Sequence, residues 1–397
     1  MARTQDTWEK STGIAGYIGI ANLFRTLDHK AVRRALALSG KETKRQRDLP
    51  AEAVVYFVIA MALYLHVNLR EVLFCLMEGL RTIRGLDVKI TGKSGISQAR
   101  TRIGAEPLRQ LYEDQVRPIA TKSSKGAFYK KWRLISIDGS TLDIPDEADN
   151  REKYGGPTTF NGPCAFPQIR FVCLAEIGTR VLFSGKMAGY GTSEIALAKQ
   201  IIGNLKPDML CIADRGFFGR DLWRQARETG AELLWRVRSD IKLPVVTELA
   251  DGSYLSQLSS YRADRQNEEP IDVRVVEYSL ESNPGQEDMV YRVATSILDP
   301  QDASAEDIAR LYHERWEIET AFDELKTHLR GSRLCLRSKT PELIEQEFYG
   351  LLLAHFTVRG LMHEAARKAD IDPDALSFTH SLRVIRRKLP MIPAFSP

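Results

Sequence analysis

Apolar residues dominate the stretch from Ala53 to Leu65, directly after Asp48-Leu49-Pro50. The run is too short to span a bilayer and reads as a buried helix, with Asp48 as N-cap and Pro50 in the first turn. Residues 1 to about 125 read as helical throughout, and Ser97 to Arg102 forms a second capped segment carrying Arg100 and Arg102. The texture changes near Lys131. Trp132 to Asp138 is a short β-rich run ended by Asp138-Gly139, and Ile169–Ala175 and Thr179–Gly185 read as two further strands joined by a glycine turn. Ser193 to Leu205 has the pattern of an amphipathic helix opened by a Ser193-Glu194 cap. Met209 to Ala213 follows as a buried strand that ends at Asp214. Strand, strand, strand, helix, strand, helix is the order of an α/β domain.

Residues 232–299 are strand-like again, in Leu233–Val237, Ile271–Val276 and Met289–Ala294, linked by Gly, Asp, Asn and Pro turns. They read as a β insertion ahead of a single long helix that starts near Ser304, where Asp307 stands at the capping-box spacing. From about Thr340 the chain is helical, with an apolar segment from Phe348 to Met362. There is no internal repeat and no low-complexity stretch.

Composition changes this picture little. The chain has 397 residues, 43% hydrophobic and 27% charged, which suits two or three globular domains. A net charge of +4 excludes a globally basic nucleic-acid binder. Locally, Arg25, Lys30, Arg33, Arg34, Lys41, Lys44, Arg45 and Arg47 face only Asp28 and Glu42. A polyanion partner and a solvated helix face both account for that cluster, and the same two readings apply to Arg100 and Arg102. Five scattered cysteines without a CxxC pair exclude a disulfide framework and a structural zinc site. The N-terminus lacks the apolar core of a signal peptide, so a soluble cytoplasmic protein is expected.

The candidate chemistry lies in Tyr312, Arg315, Glu319 and Lys326, spaced by three, four and seven residues. On a helix these fall at roughly 0°, −60°, −20° and −40°, a narrow stripe carrying a phenol, a guanidinium, a carboxylate and an ammonium. Glu317 and Glu324 fall elsewhere on the same helix. Asp138 and Asp214 both end strands, where open α/β sheets build their sites; a turn or helix-cap role is the alternative for either alone. Two such aspartates and a helical glutamate can converge on a pair of Mg²⁺ ions, hard cations that take oxygen ligands and phosphate oxygens together. Arg315 and Lys326 can neutralise phosphates beside them, and Tyr312 can donate to the same backbone. Trp235, near the β insertion, reads either as a stacking partner for an unpaired base or as core packing.

These residues carry a resemblance. Tyr312-x2-Arg315-x3-Glu319-x6-Lys326 is similar to the Tyr-Arg-Glu-Lys signature of bacterial insertion-sequence DDE transposases of the IS-four type. Ile135 to Asp146 resembles that family's first-aspartate block, Ala165 to Gln168 its next loop, and Ala213-Asp214-Arg215-Gly216-Phe217 its second-aspartate block. Arg47 to Val55 is similar to the start of its helical N-terminal domain, and the resemblance spans roughly residues 20–390. It implies a ribonuclease-H-like catalytic domain with a β-rich insertion and the triad Asp138, Asp214 and Glu319, 76 and 105 residues apart, holding Mg²⁺, with Mn²⁺ able to substitute. It further implies that Tyr312, Arg315 and Lys326 contact the DNA backbone at the transposon end. The implied partners are double-stranded DNA (terminal inverted repeats and target) and a second copy of the chain in a homodimeric synaptic complex, in the bacterial cytoplasm at the nucleoid, with no membrane. Some relatives cut the second strand through a hairpin.

The expected domains are a helical DNA-end-binding domain at 1–125, the catalytic domain at 126–339 with its insertion at about 232–299, and a helical C-terminal region at 340–397. The chain stops soon after the basic patch Arg383, Arg386, Arg387 and Lys388, where relatives run on, so a truncated C-terminus is expected. The leading functional reading is Mg²⁺-dependent cleavage and strand transfer. A related nuclease without strand transfer, and a truncated, inactive DNA-binding protein of the element, are the alternatives.

Overall fold

The computed structural model describes residues 26–43, 45, 48–65, 67–80, 92–160, 162–259, 269–280, 289–331 and 335–387. Arg25, Lys44, Arg47, Lys388 and the run 391–397 from the sequence readings lie outside them. Among the described residues five helices come first: α1 His29–Leu38, α2 Ala51–Leu63, α3 Leu69–Leu80, α4 Lys93–Ile103 and α5 Glu106–Gln115. There follow β1 Phe128–Tyr129, β2 Trp132–Asp143, α6 Ala148–Tyr154, the hairpin β3 Thr158–Thr159 and β4 Gly162–Pro163, β5 Gln168–Glu176 and β6 Val181–Gly189. Next are α7 Glu194–Ile201, β7 Met209–Ala213, α8 Arg220–Arg227, β8 Glu232–Arg236, β9 Thr247–Glu248, β10 Tyr254–Leu258, β11 Ile271–Leu280 and β12 Met289–Thr295. The chain closes with α9 Ala305–His313, α10 Trp316–Asp323, a π-helical segment Glu324–Leu329, α11 Pro341–Ala369 and α12 Phe378–Arg387.

The chain divides into two compact units. One holds Met1–Val116, Asp143–Lys153 and Asp323–Pro397; the other holds Arg117–Leu142 and Tyr154–Phe322. The first, in its described part, is helical, and it is built around α2 and α11. Every residue from Ala53 to Leu63 is buried, as the unbroken apolar run requires. Helix α11 packs on α2 at Gly350, where a Cβ would stand 2.7 Å from Val58 Cγ1 and 3.2 Å from Val58 O. The N-terminus of α2 differs from the reading above. Pro50 occupies the N-cap, and Ala51 N donates to Thr43 Oγ1 at 2.7 Å instead of Asp48 serving as the cap.

Arg100 is a second correction. Ser97 lies inside α4, not at its start, and Arg100 is buried, donating to Gln346 Oε1 and Ser338 Oγ at 2.8 Å each. A buried guanidinium spent on internal acceptors cannot reach a phosphate. Arg386 is likewise bonded to the carbonyls of Leu63 and Leu329. In the basic cluster, Arg33 pairs with Glu52, Arg34 with Asp114, and Lys41 donates to Arg102 O.

The second unit is organised by a ten-stranded mixed sheet in the order β6-β5-β2-β7-β8-β12-β11-β10-β9, with β1 beside β2. Strands β2, β7 and β8 are parallel, while β12, β11, β10 and β9 continue the sheet antiparallel. All five residues of β7 are buried, as its continuous apolar stretch suits a strand covered on both faces. Leu134 of β2, Leu210 and Ile212 of β7 and Leu234 of β8 pack with Ile308, Leu311 and Tyr312 of α9. Alternation along a strand sends the neighbouring residues to the opposite face. Helix α7 packs on β5 and β6, and α8 on β8. Trp235 is fully buried edge-on against Trp223 at 5.2 Å, which settles it as core and removes the base-stacking reading.

Candidate active site

Register places the first two carboxylates. The parallel pairing of β2 and β7 runs from Arg133↔Met209 to Ile137↔Ala213. Asp138 and Asp214 are the next residue on each strand. They share the parity of Leu134, Leu210 and Ile212, so they extend the face on which α9 packs. Asp214 ends β7 as expected. Asp138 does not end its strand, because β2 continues to Asp143; what ends at Asp138 is the pairing with β7. The carboxyl end of such a parallel pairing is where an α/β sheet presents polar side chains. Each carboxylate is steadied by a nearby glycine: Gly139 N donates to Asp138 Oδ1 at 2.8 Å and Gly216 N to Asp214 Oδ1 at 2.7 Å.

The third carboxylate arrives from the helical segment after the insertion. Ser304 caps α9, its Oγ accepting from Asp307 N at 3.1 Å, as the sequence spacing indicated. The insertion is tied to the same point. Buried Arg274 of β11 donates to Ala303 O at 2.6 Å and pairs with Asp251, whose Oδ2 also accepts from Ala305 N at 2.9 Å. The helix is not the single cylinder expected. At Glu314-Arg315 it tightens into turns in which Arg315 N donates to Tyr312 O and Ile318 N to Arg315 O, three residues back in each case. It resumes as α10, then widens into the π-helical segment from Glu324. Angles counted at a constant period fail across both defects.

Even so, Arg315 and Glu319 meet the first aspartate. The Arg315 guanidinium donates to Glu319 Oε1 at 2.8 Å and to Asp138 Oδ2 at 3.4 Å, and lies 4.8 Å from the Trp316 ring centroid. The neighbouring glutamates are spent elsewhere. Glu317 pairs with Arg180, and Glu324 is buried between Arg359 and His355 of α11. Tyr312 is 3% exposed, packed with Tyr291 and His313; burial raises its pKa while Arg315 lowers it. Lys326 belongs to the other compact unit, in the π-helical segment, with its pKa lowered by burial and by Arg330. Asp138, Asp214, Arg315 and Glu319 are therefore gathered in one unit, with Tyr312 beneath them in its core.

The electrostatics is that of a site short of positive charge. Burial pushes the Asp138 carboxyl up to about 7, and the charges of Asp214 and Glu194 add to this, against the Gly139 N–H and Arg315. Burial works against the charge on Arg315, but the bond to Glu319 and the fields of Tyr312 and Asp138 outweigh it. Among the described residues no three His, Cys, Asp or Glu side chains are drawn close enough to form a preassembled metal cage. A guanidinium occupies the position between Asp138 and Glu319 instead. The donor set is all oxygen and its members are carboxylates, so these residues fit a hard divalent ion. Glu194, whose charge acts on Asp138, was not read as a site residue from the sequence, where only the Ser193-Glu194 cap directly after the third strand marked it.

Comparison with known proteins identifies the family. The family described as transposase DDE domain matches residues 130–357, and the one described as insertion element 4 transposase N-terminal matches residues 18–113. Transposase InsG for insertion sequence element IS4 of Escherichia coli (strain K12) is 28% identical over 380 residues, covering 94% of this chain and 83% of that protein. The putative transposase InsZ of the same organism is 26% identical over 205 residues, 51% of this chain and 66% of that protein. A cryo-EM structure of a piggyBac transposase synaptic complex with hairpin DNA gives a TM-score of 0.46 at 13% identity over 95% of this chain and 83% of that one, too distant a likeness to bear on fold or site. The DDE domain spans more than half of the chain, which belongs to the IS4-family DDE transposases and is a transposase enzyme of an insertion sequence.

Proposed function

We propose that Asp138, Asp214 and Glu319 are the catalytic carboxylates of a metal-dependent DNA cleavage and strand-transfer reaction at the ends of the insertion sequence. The observation that carries this reading is the placing of two aspartates one step beyond the last β2–β7 register pair, with a glutamate joined to the first of them through Arg315. The sheet order β6-β5-β2-β7-β8, with α7 and α8 between its later strands, supports a ribonuclease-H-like core, and β9 to β12 form the β-rich insertion.

The three carboxylates would hold Mg²⁺, or Mn²⁺ in its place. When bound, such ions supply Lewis-acid polarisation of the attacking and leaving oxygens of a phosphodiester. The protein's own groups do the rest. Burial of Asp138 excludes water from one side of the cation, and the Gly139 and Gly216 amides fix the two aspartates. Arg315 bridges Asp138 and Glu319, and its planar fork is the group that would meet a phosphate of the DNA beside them. Tyr312 steadies Arg315 from below, and Lys326 adds a second cationic contact to the transposon-end backbone. The helices before residue 125 read the terminal inverted repeats, and two copies of the chain pair two ends before joining them to target DNA.

The test is cleavage of a duplex carrying the element's end, with Glu319→Gln against the unaltered protein at saturating Mg²⁺. Loss of nicking with retained end binding is expected. Undiminished nicking by Glu319→Gln defeats the assignment.

A further inference from the structure

The π-helical segment Glu324–Leu329 is pinned at both ends within the helical unit. Glu324 accepts from Arg359 Nε at 2.8 Å and pairs with His355 at 3.2 Å. At the far end Arg386 Nη2 donates to Leu329 O at 3.1 Å, and Gly331 N donates to Thr327 O at 2.8 Å. Two cations stand on this fixed backbone. Lys326 and Arg330 are four residues apart, the spacing of neighbours on a helix surface. The guanidinium of Arg330 is the unusual one. Its Nε and Nη1 are buried, and among the described residues neither has a hydrogen-bond partner. Arg315, Arg337 and Arg359 also leave one guanidinium nitrogen unbonded, but each spends another on a carboxylate or a carbonyl. No such bond is made by Arg330 among the described residues. Leu336 N donates to Asp143 O at 3.2 Å, which ties Asp143 to the same region, and the Asp143 carboxylate acts on both cations. Asp323, which also acts on Lys326, pairs with His328 at 3.1 Å. Burial lowers the pKa of Lys326 and of Arg330, and the charge of Arg330 lowers that of Lys326 further. Buried donors without acceptors, on a cation beside a second cation, cost free energy unless an anion shares the site.

We propose that Arg330 joins Lys326 in holding a backbone phosphate of the transposon-end DNA, which supplies the acceptors that its buried guanidinium nitrogens lack. This rests on the reading of Lys326 as a contact to that backbone. The anion is a phosphodiester because the chain is a transposase, and DNA offers one at every backbone step. The two cations have separate parts: Lys326 brings a point charge, and Arg330 a planar set of donors that fixes the orientation of the phosphate. Arg330 is thus a binding residue and does not touch the reacting atoms.

The test is binding of the full-length protein to a duplex carrying the element's end, by fluorescence anisotropy in EDTA over a range of salt concentrations, with Arg330→Gln, Arg330→Lys and Lys326→Gln beside the unaltered protein. Loss of one phosphate contact should flatten the plot of log K against log salt by about 0.9. Loss of a hydrogen bond to a charged group should weaken binding by about 10-fold. Arg330→Gln should do both, on the element's end and on a scrambled duplex alike, because a phosphate carries no sequence information. Arg330→Lys keeps the charge, so it should keep the slope while binding less tightly. Arg330 has no internal hydrogen bond to lose among the described residues, so Arg330→Gln should unfold in urea at no lower concentration than the unaltered protein. Arg330→Met carries the test if Arg330→Gln does not fold. An unchanged salt slope in Arg330→Gln and Arg330→Met, with a flattened one in Lys326→Gln, overturns the role of Arg330 and leaves that of Lys326 standing. Unchanged slopes in all three of these neutral variants overturn both.

Discussion

Asp138→Asn should abolish cleavage and yet make the metal-free protein more stable above neutral pH. The folded protein holds the Asp138 carboxyl at about 7, chiefly through burial, whereas the ordinary value of 3.8 applies once the chain unfolds. Between those values the folded state keeps a proton that the unfolded state has lost. The unfolded state then binds fewer protons, so stability falls as pH rises from about 4 to about 7 and the full cost is present above. At ~1.4 kcal/mol for each tenfold change in proton affinity, that cost is of order 4 kcal/mol. Asparagine mimics the neutral acid and escapes it. For a domain of ~150–250 residues, each kcal/mol shifts the midpoint by roughly 2–4 °C, so a rise of about 8–16 °C is expected at pH 8 in EDTA. Four of the five tryptophans, Trp132, Trp223, Trp235 and Trp316, lie in the unit that contains Asp138, so tryptophan fluorescence during urea or thermal unfolding follows the right transition. The gap between the two proteins should widen from pH 4 to pH 7 and then level off. Saturating Mn²⁺ should narrow it by stabilising only the protein with the intact carboxylate. Equal stability at pH 8, or a gap independent of pH, refutes the account of Asp138 as a buried acid awaiting a cation.

Arg315→Gln should tighten Mn²⁺ binding in the absence of DNA, because it removes the cation that competes for Asp138 and Glu319, while lowering cleavage by ~10²-fold through loss of a charge that stabilises the phosphoryl transition state; titration calorimetry and a nicking assay read the two effects. Arg359→Met should destabilise the helical unit by about 3–5 kcal/mol in urea unfolding, since it takes the paired guanidinium away from buried, charged Glu324. Gly350→Ala should cost roughly 1–3 kcal/mol in the same measurement, as the new Cβ must displace Val58 of α2.

Much of the fold was legible because period and parity are local properties. The run from Ala53 to Leu65, the buried strand Met209–Ala213 and the capped helices at Ser193 and Ser304 all formed as their patterns indicate. The failures share a cause, which is that hydrogen-bond partners distant in sequence decide them. Thr43 took the capping role read for Asp48, and Gln346 and Ser338 drew Arg100 inward. The short strand Tyr254–Leu258 exists because β11 offers an edge to pair with, and Thr247–Glu248 because Tyr254–Leu258 then offers the next, not because of their own composition. At the site, the spacing of Arg315 and Glu319 survives a break in the helix because both lie within one turn of each other after it. The longer step to Lys326 crosses the π-helical widening and a boundary between units, where constant-period counting has no force.

The most direct test of the central claim is anomalous diffraction from crystals of the protein soaked in Mn²⁺. Anomalous density is expected among Asp138, Asp214 and Glu319, with Arg315 withdrawn from Asp138. Density absent from these carboxylates, in crystals of protein that cleaves DNA in the same Mn²⁺ solution, contradicts the account.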